Sequence, residues 1–171
     1  MGTEQKQLGK SMLEAELWKS LLTDDMNARY WSLIGRRHVK RDRNAKICLA
    51  ILSSSALAGL GFWKQVPWAG IALSALSTLT AIVIPALKYP DKVNKASDLA
   101  GTWMQIQFDY ENLWLTPDGA SGGVESLLIQ YDNTKRRVVK AKIMELGLPI
   151  DNKLIELCYS QVLAARELIE Q

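Results

Sequence analysis

Two charge-free stretches, Ile47 to Trp63 and Gln65 to Leu87, lie end to end with only Lys64 between them, and no other feature restricts this chain so tightly. A soluble domain of 171 residues has no use for about 40 consecutive apolar and small residues in one core. The economical reading is an all-α membrane protein built on a two-helix transmembrane hairpin. At ~1.5 Å of rise per residue the first stretch spans roughly 25 Å and the second roughly 35 Å, against a hydrocarbon layer of about 30 Å. Both are long enough to cross, the first only just.

The flanks agree. Arg36, Arg37, Lys40, Arg41, Arg43 and Lys46 precede the first stretch, and Lys88, Lys92 and Lys95 follow the second, whereas the connecting turn holds only Lys64. The positive-inside bias therefore places both termini in the cytoplasm and the Lys64-Gln65-Val66-Pro67 turn on the far side. Trp63, Trp68 and Tyr89 fall at the expected water boundaries, where an apolar ring with one polar atom is best accommodated.

Charges at Glu4, Lys6, Lys10, Glu14 and Glu16 rule out a cleaved signal peptide in the first 20 residues, so the first span is expected to direct insertion. Three parts are expected: a cytosolic helical arm over 1–45, the hairpin over 46–88, and a cytosolic helical bundle over 89–171. The soluble parts suffice for a small bundle and not for a large enzyme fold. Cys48 and Cys158 fall in different compartments and read as small apolar fillers, not as a disulfide framework. The net charge of +3 is largely the juxtamembrane cluster and does not argue for nucleic acid.

Along the arm, Leu8, Met12 or Leu13, Leu17 and Leu21 give a weak amphipathic helix, and Thr23-Asp24-Asp25 reads as a helix restart. From there one long helix is expected to run into the first span. Pro85 predicts a kink near the cytosolic end of the second span and is a candidate hinge, with a break and restart at Tyr89-Pro90-Asp91. Leu99, Trp103, Ile106, Tyr110 and Leu113, spaced 4, 3, 4 and 3, form an apolar stripe on a helix over about 91–115 that must bury itself against the bundle or a neighbouring copy. Thr116 to Gly123 is a loop. A further helix over about 124–146 should stop at Gly147, and Asp151 should cap a last one carrying Ile155, Cys158, Val162, Ala165 and Ile169.

Little of this points to catalysis. His38 stands alone in the basic cluster and reads as an interfacial side chain. The carboxylates lie mostly within reach of Lys or Arg and read as solvated faces, and Gly119, Gly122 and Gly123 lack the strand and Lys-Ser/Thr of a phosphate loop. No cofactor and no metal are expected. The basic cluster is expected to face anionic lipid. The run Lys135, Arg136, Arg137, Lys140 and Lys142 reads as a solvated helix face, and direct nucleic-acid binding is not expected.

Within the spans, Ala50, Ser54, Ala58 and Gly61 form one small-residue stripe, and Gly70, Ser74, Ser77, Ala81 and Pro85 another. Such stripes let helix backbones approach in lipid. Two readings stay open: the stripes close the hairpin, or some of Ser53, Ser54, Ser74, Ser77, Thr78 and Thr80 face a neighbouring subunit or a water-filled path. With no charge inside the spans, a proton relay is disfavoured.

The arm ending in Ala28-Arg29-Tyr30-Trp31, the basic stretch, the two joined spans and the segment Phe108-Asp109-Tyr110-Glu111-Asn112-Leu113 together resemble the SLATT group, small two-transmembrane effectors found beside bacterial anti-phage signalling modules. The resemblance covers most of the chain as an architecture and implies an inner-membrane homo-oligomer that opens or disrupts the membrane when a separate sensor or nucleotide-signalling protein triggers it. The alternative from another class is a non-conducting anchor or assembly subunit that docks a cytosolic partner; a transporter accessory subunit is a third.

Overall fold

The computed structural model describes residues 2–58, 67–115 and 123–167, and every regular element among them is a helix. In chain order these are α1 (Gly2–Ala58), α2 (Pro67–Ala86), α3 (Tyr89–Leu115), α4 (Gly123–Glu145) and α5 (Asn152–Glu167). The Lys64 turn with Trp63 and Gly61, most of the Thr116 loop, and Ile169 lie outside the described residues.

α1 is a single helix of 57 residues, and the restart expected at Thr23 does not occur. With no proline between Gly2 and Ala58, nothing removes a backbone donor along its length. Thr23 Oγ1 donates to the Lys19 carbonyl at 2.9 Å, satisfying its hydroxyl within the helix instead of capping a new one. Asp24 and Asp25 then face inward.

The chain divides into two compact units, one of Met1–Leu33 with Ser97–Gln171 and one of Ile34–Ala96. Residues 1–33 of the arm thus belong with the C-terminal helices.

In the first unit the stripe on α3 is the core. Leu99, Trp103, Ile106, Tyr110 and Leu113 are all buried, Trp103 and Ile106 completely. Leu17, Leu21, Ala28 and Trp31 of α1, Tyr131 and Ala141 of α4, and Leu154, Cys158 and Val162 of α5 complete it. Each large apolar side chain so buried contributes about 1.5–3 kcal/mol. The stripe is therefore consumed inside its own chain and is not a surface for a neighbouring copy. On α5 the buried line starts at Leu154, while Ile155 is half-buried.

The α4–α5 junction follows its local chemistry. Gly147 takes φ +81°, and Leu148 N–H donates to the Glu145 carbonyl at 3.0 Å, closing α4 as a left-handed C-terminal glycine does. Asp151 Oδ1 accepts from Leu154 N–H at 3.2 Å and caps α5.

In the second unit Pro85 is the next-to-last residue of α2, at the end of the helix where the sequence places a kink. The chain leaves helical geometry at Leu87 and Lys88, where Lys88 has φ 47°, and α3 begins at Tyr89. Pro90 is tolerated there because first-turn N–H groups have no helical acceptor.

Candidate membrane-inserting segment

The second unit exposes what a water-soluble fold would hide. From Gly70 the chain holds an 18-residue window of mean hydropathy 2.0, long and apolar enough to span a membrane, with none of it buried. Trp68, Ile71, Leu76, Leu79, Ile82 and Val83 of α2 are exposed, as are Ile47 and Ile51 of α1. Contiguous apolar surface of this extent marks a membrane or protein contact.

On each helix the partly covered positions fall along one face. On α1 the partly covered positions are Ala45, Leu49 and Leu52; on α2 they are Gly70, Leu73, Ser77, Thr80 and Ile84, spaced 3, 4, 3 and 4. This differs from the expected small-residue stripes. Ala50 and Ser54 lie on the exposed side of α1, and Ser74, Ala81 and Pro85 on that of α2; only Gly70 and Ser77 fall on the shaded face. Large side chains at Leu49, Leu52, Leu73 and Ile84 lie on these partly covered faces because a face set by helical period admits whatever residues occupy it.

The hydroxyls follow a second pattern. Ser54 Oγ donates to the Ala50 carbonyl at 2.7 Å, Thr78 Oγ1 to Ser74 at 2.9 Å and Thr80 Oγ1 to Leu76 at 2.7 Å. These bonds lie within one helix, so the groups can meet lipid without an unsatisfied donor. Ser53, Ser74 and Thr78 are exposed, and Ser77 and Thr80 partly covered.

Below the spans, Arg36, Arg37, Lys40, Arg41, Arg43 and Lys46 are all exposed, with Lys46 paired to Asp42 at 2.6 Å. His38 is half-covered beside Tyr89, ring centroids 6.5 Å apart. Partial burial, then Arg41 and Lys92, hold its pKa below the ordinary imidazole value.

The first unit holds polar groups that the sequence reading had assigned to solvated faces. Asp24 and Asp25 are 3% and 5% exposed. Asp25 accepts from Arg29 Nε at 2.7 Å and lies 3.7 Å from Arg166, which also lies 3.6 Å from Glu111. Burial pushes the Asp24 carboxyl up to about 7 against the opposing pull of Lys142, and its Oδ2 is buried without a hydrogen-bond partner. Glu145 Oε1 accepts two indole N–H groups, Trp31 at 2.6 Å and Trp103 at 2.8 Å. The signal for the inward aspartates was present: Leu21, Asp24, Ala28 and Trp31 share one helical face.

The second basic run is a paired surface, as expected of a solvated face. Lys135 bonds Glu16 at 2.8 Å and sits 4.5 Å from the Tyr131 ring centroid, Arg136 pairs with Asp132 at 3.0 Å, and Arg137 pairs with Asp109. An open groove of about 250 Å³ between α3 and α4 is lined by Asp109, Asn112, Asn133, Thr134 and Arg137, its cation already paired. Among the described residues no group of three or more His, Cys, Asp or Glu side chains is placed to hold a metal ion.

No family model matches the chain, and no curated protein or solved structure is similar to it.

Proposed function

We propose that this chain is an inner-membrane effector of anti-phage defence that inserts α2 and the C-terminal part of α1 as a hairpin, both termini cytoplasmic. It oligomerises, and on a signal from a separate partner it permeabilises or depolarises the membrane. The observation that supports insertion is the apolar window from Gly70, none of it buried. The exposed basic cluster from Arg36 to Lys46 supports the orientation. Two helices enclose no lumen, so an aqueous path requires several copies. Ser74 and Thr78, exposed on α2, are the hydroxyls available to such a path or to a neighbouring hairpin, and Pro85 at the end of α2 is the hinge candidate.

A non-conducting anchor is the second reading, and one observation favours it. Ser54, Thr78 and Thr80 satisfy their hydroxyls within their own helices, so a lipid-facing hairpin needs no path to explain them. Dye uptake and loss of membrane potential on induced expression separate the two. Leak that Ser74→Leu or Thr78→Leu abolishes supports the effector and its path. A membrane-bound chain without leak under any trigger leaves the anchor, and a chain soluble without detergent overturns both.

A further inference from the structure

α4 carries a second apolar line, on the side away from the core. Its inward positions are Tyr131, Thr134, Val138 and Ala141, buried or partly covered. Opposite them run Ile129, Asp132, Arg136, Val139 and Ile143, continued by Leu146 in the turn beyond, at spacings of 3, 4, 3, 4 and 3. That alternation is the spacing of a two-helix coiled-coil seam, apolar except at Asp132 and Arg136. Ile129 is 58%, Val139 56% and Ile143 59% exposed, so among the described residues none covers the line. A helix whose inner face already fills a core has no folding reason to repeat an apolar seam on its outer face.

The two central charges identify the occupant. In a parallel pairing of two copies, Asp132 would face Asp132 and Arg136 would face Arg136, which repel. In an antiparallel pairing centred between them, each Asp132 meets the other copy's Arg136, and Ile129 meets Val139 on either side. The four positions Ile129, Asp132, Arg136 and Val139 are self-complementary under a two-fold axis, as an interface between identical chains must be, and Ile143 and Leu146 lie beyond this matched set. Asp132 and Arg136 already pair within one chain at 3.0 Å with side chains 61% and 76% exposed, so both are free to exchange partners.

We infer that the outward face of α4 is a two-fold docking surface for a second copy of this chain, registered by Asp132 against Arg136. This deepens the homo-oligomeric part of the proposed function, and it stands apart from conduction because its test reads proximity and not leak. It also assigns self-association to α4, since the Trp103 stripe is filled within the chain.

The test uses the full-length protein in mild detergent with Cys48→Ser, leaving the buried Cys158 in place. With Ile129→Cys and Val139→Cys in the same chain, mild oxidation is expected to give crosslinked dimer as the main product; about 15 Å of helix between the two positions prevents an intrachain bond. Ile129→Cys alone is expected to give little. Asp132→Arg and Arg136→Asp, each added singly to the two-cysteine chain, should cut the crosslink at least tenfold, and mixing the two variants should restore it between unlike chains. Efficient crosslinking through Ile129→Cys alone, which reports a parallel pairing, overturns the inference. So does failure of the two-cysteine chain to crosslink, or of the mixture to recover. Loss of leak with crosslinking intact would count against the effector reading only.

Discussion

Trp103 donates its indole N–H to Glu145 Oε1 at 2.8 Å, joining the middle of α3 to the last residue of α4 across 42 positions of sequence. Trp31 of α1 donates to the same oxygen at 2.6 Å. One carboxylate therefore ties three helices of the first unit, and it does so from a residue that sequence alone places on a helix surface.

Replacing Glu145 tests that tie. Glu145→Leu leaves two indole donors without an acceptor and should cost about 2–4 kcal/mol, whereas Glu145→Gln keeps an amide oxygen and should cost about 1 kcal/mol. Far-ultraviolet circular dichroism melts of the detergent-solubilised protein check the order. Equal losses would show that the carboxylate is not acting as a shared acceptor.

Asp24 predicts an unusual pH dependence. Its folded pKa of about 7 lies above the unsatisfied group's ordinary value of 3.8, so between those limits the folded chain holds a proton that the unfolded chain has released. Its contribution to stability is fully present below about pH 4 and is lost as pH rises to about 7, an effect on the order of 4 kcal/mol. Asp24→Asn should flatten that slope and raise stability at pH 8, as read by denaturant unfolding at pH 5 and pH 8. Glu16, held below the ordinary carboxylate range by its bond to Lys135, acts in the opposite sense in acid but is exposed.

Two glycines should respond to alanine with opposite signs. At Gly147 an added Cβ meets no atom within 4 Å, but φ +81° is strained for any other residue, so Gly147→Ala should destabilise by about 1 kcal/mol. At Gly101, within α3 and equally open, Gly101→Ala should stabilise by about 0.5–1 kcal/mol. Thermal melts of the pair separate backbone strain from crowding.

Charge placed in the second span tests its solvent. Leu76, 50% exposed near the middle of α2, should on replacement by Arg raise the cost of insertion by about 2.5–3.5 kcal/mol and move the chain out of the carbonate-resistant membrane fraction. Met104→Arg, on the exposed face of α3, should leave fractionation unchanged. Improved solubility with Leu76→Arg, from a chain that never sedimented with membranes, would mean α2 meets water or protein.

Helix type, most helix ends and the α3 core stripe were legible in the sequence because each rests on short-range rules. The stripe from Leu99 to Leu113 follows the 3.6-residue period, Gly147 and Asp151 mark ends by backbone conformation and side-chain capping, and the apolar run through α2 is a matter of composition. What the sequence could not settle was which of several compatible local states the packing selects. Thr23 and the two aspartates after it would suit a helix start, yet burial beside α3 and α5 holds α1 continuous and turns the acids inward. On α2, Gly70 and Ser77 share the partly covered face with Leu73 and Ile84, while Ser74 and Ala81 are exposed. Sequence on its own determined that this chain is helical and carries a long apolar segment with a basic flank, because period and composition are local. Tertiary structure decided that the arm joins the C-terminal helices and that Glu145 gathers two distant indoles, because those contacts depend on pairings far apart in the chain.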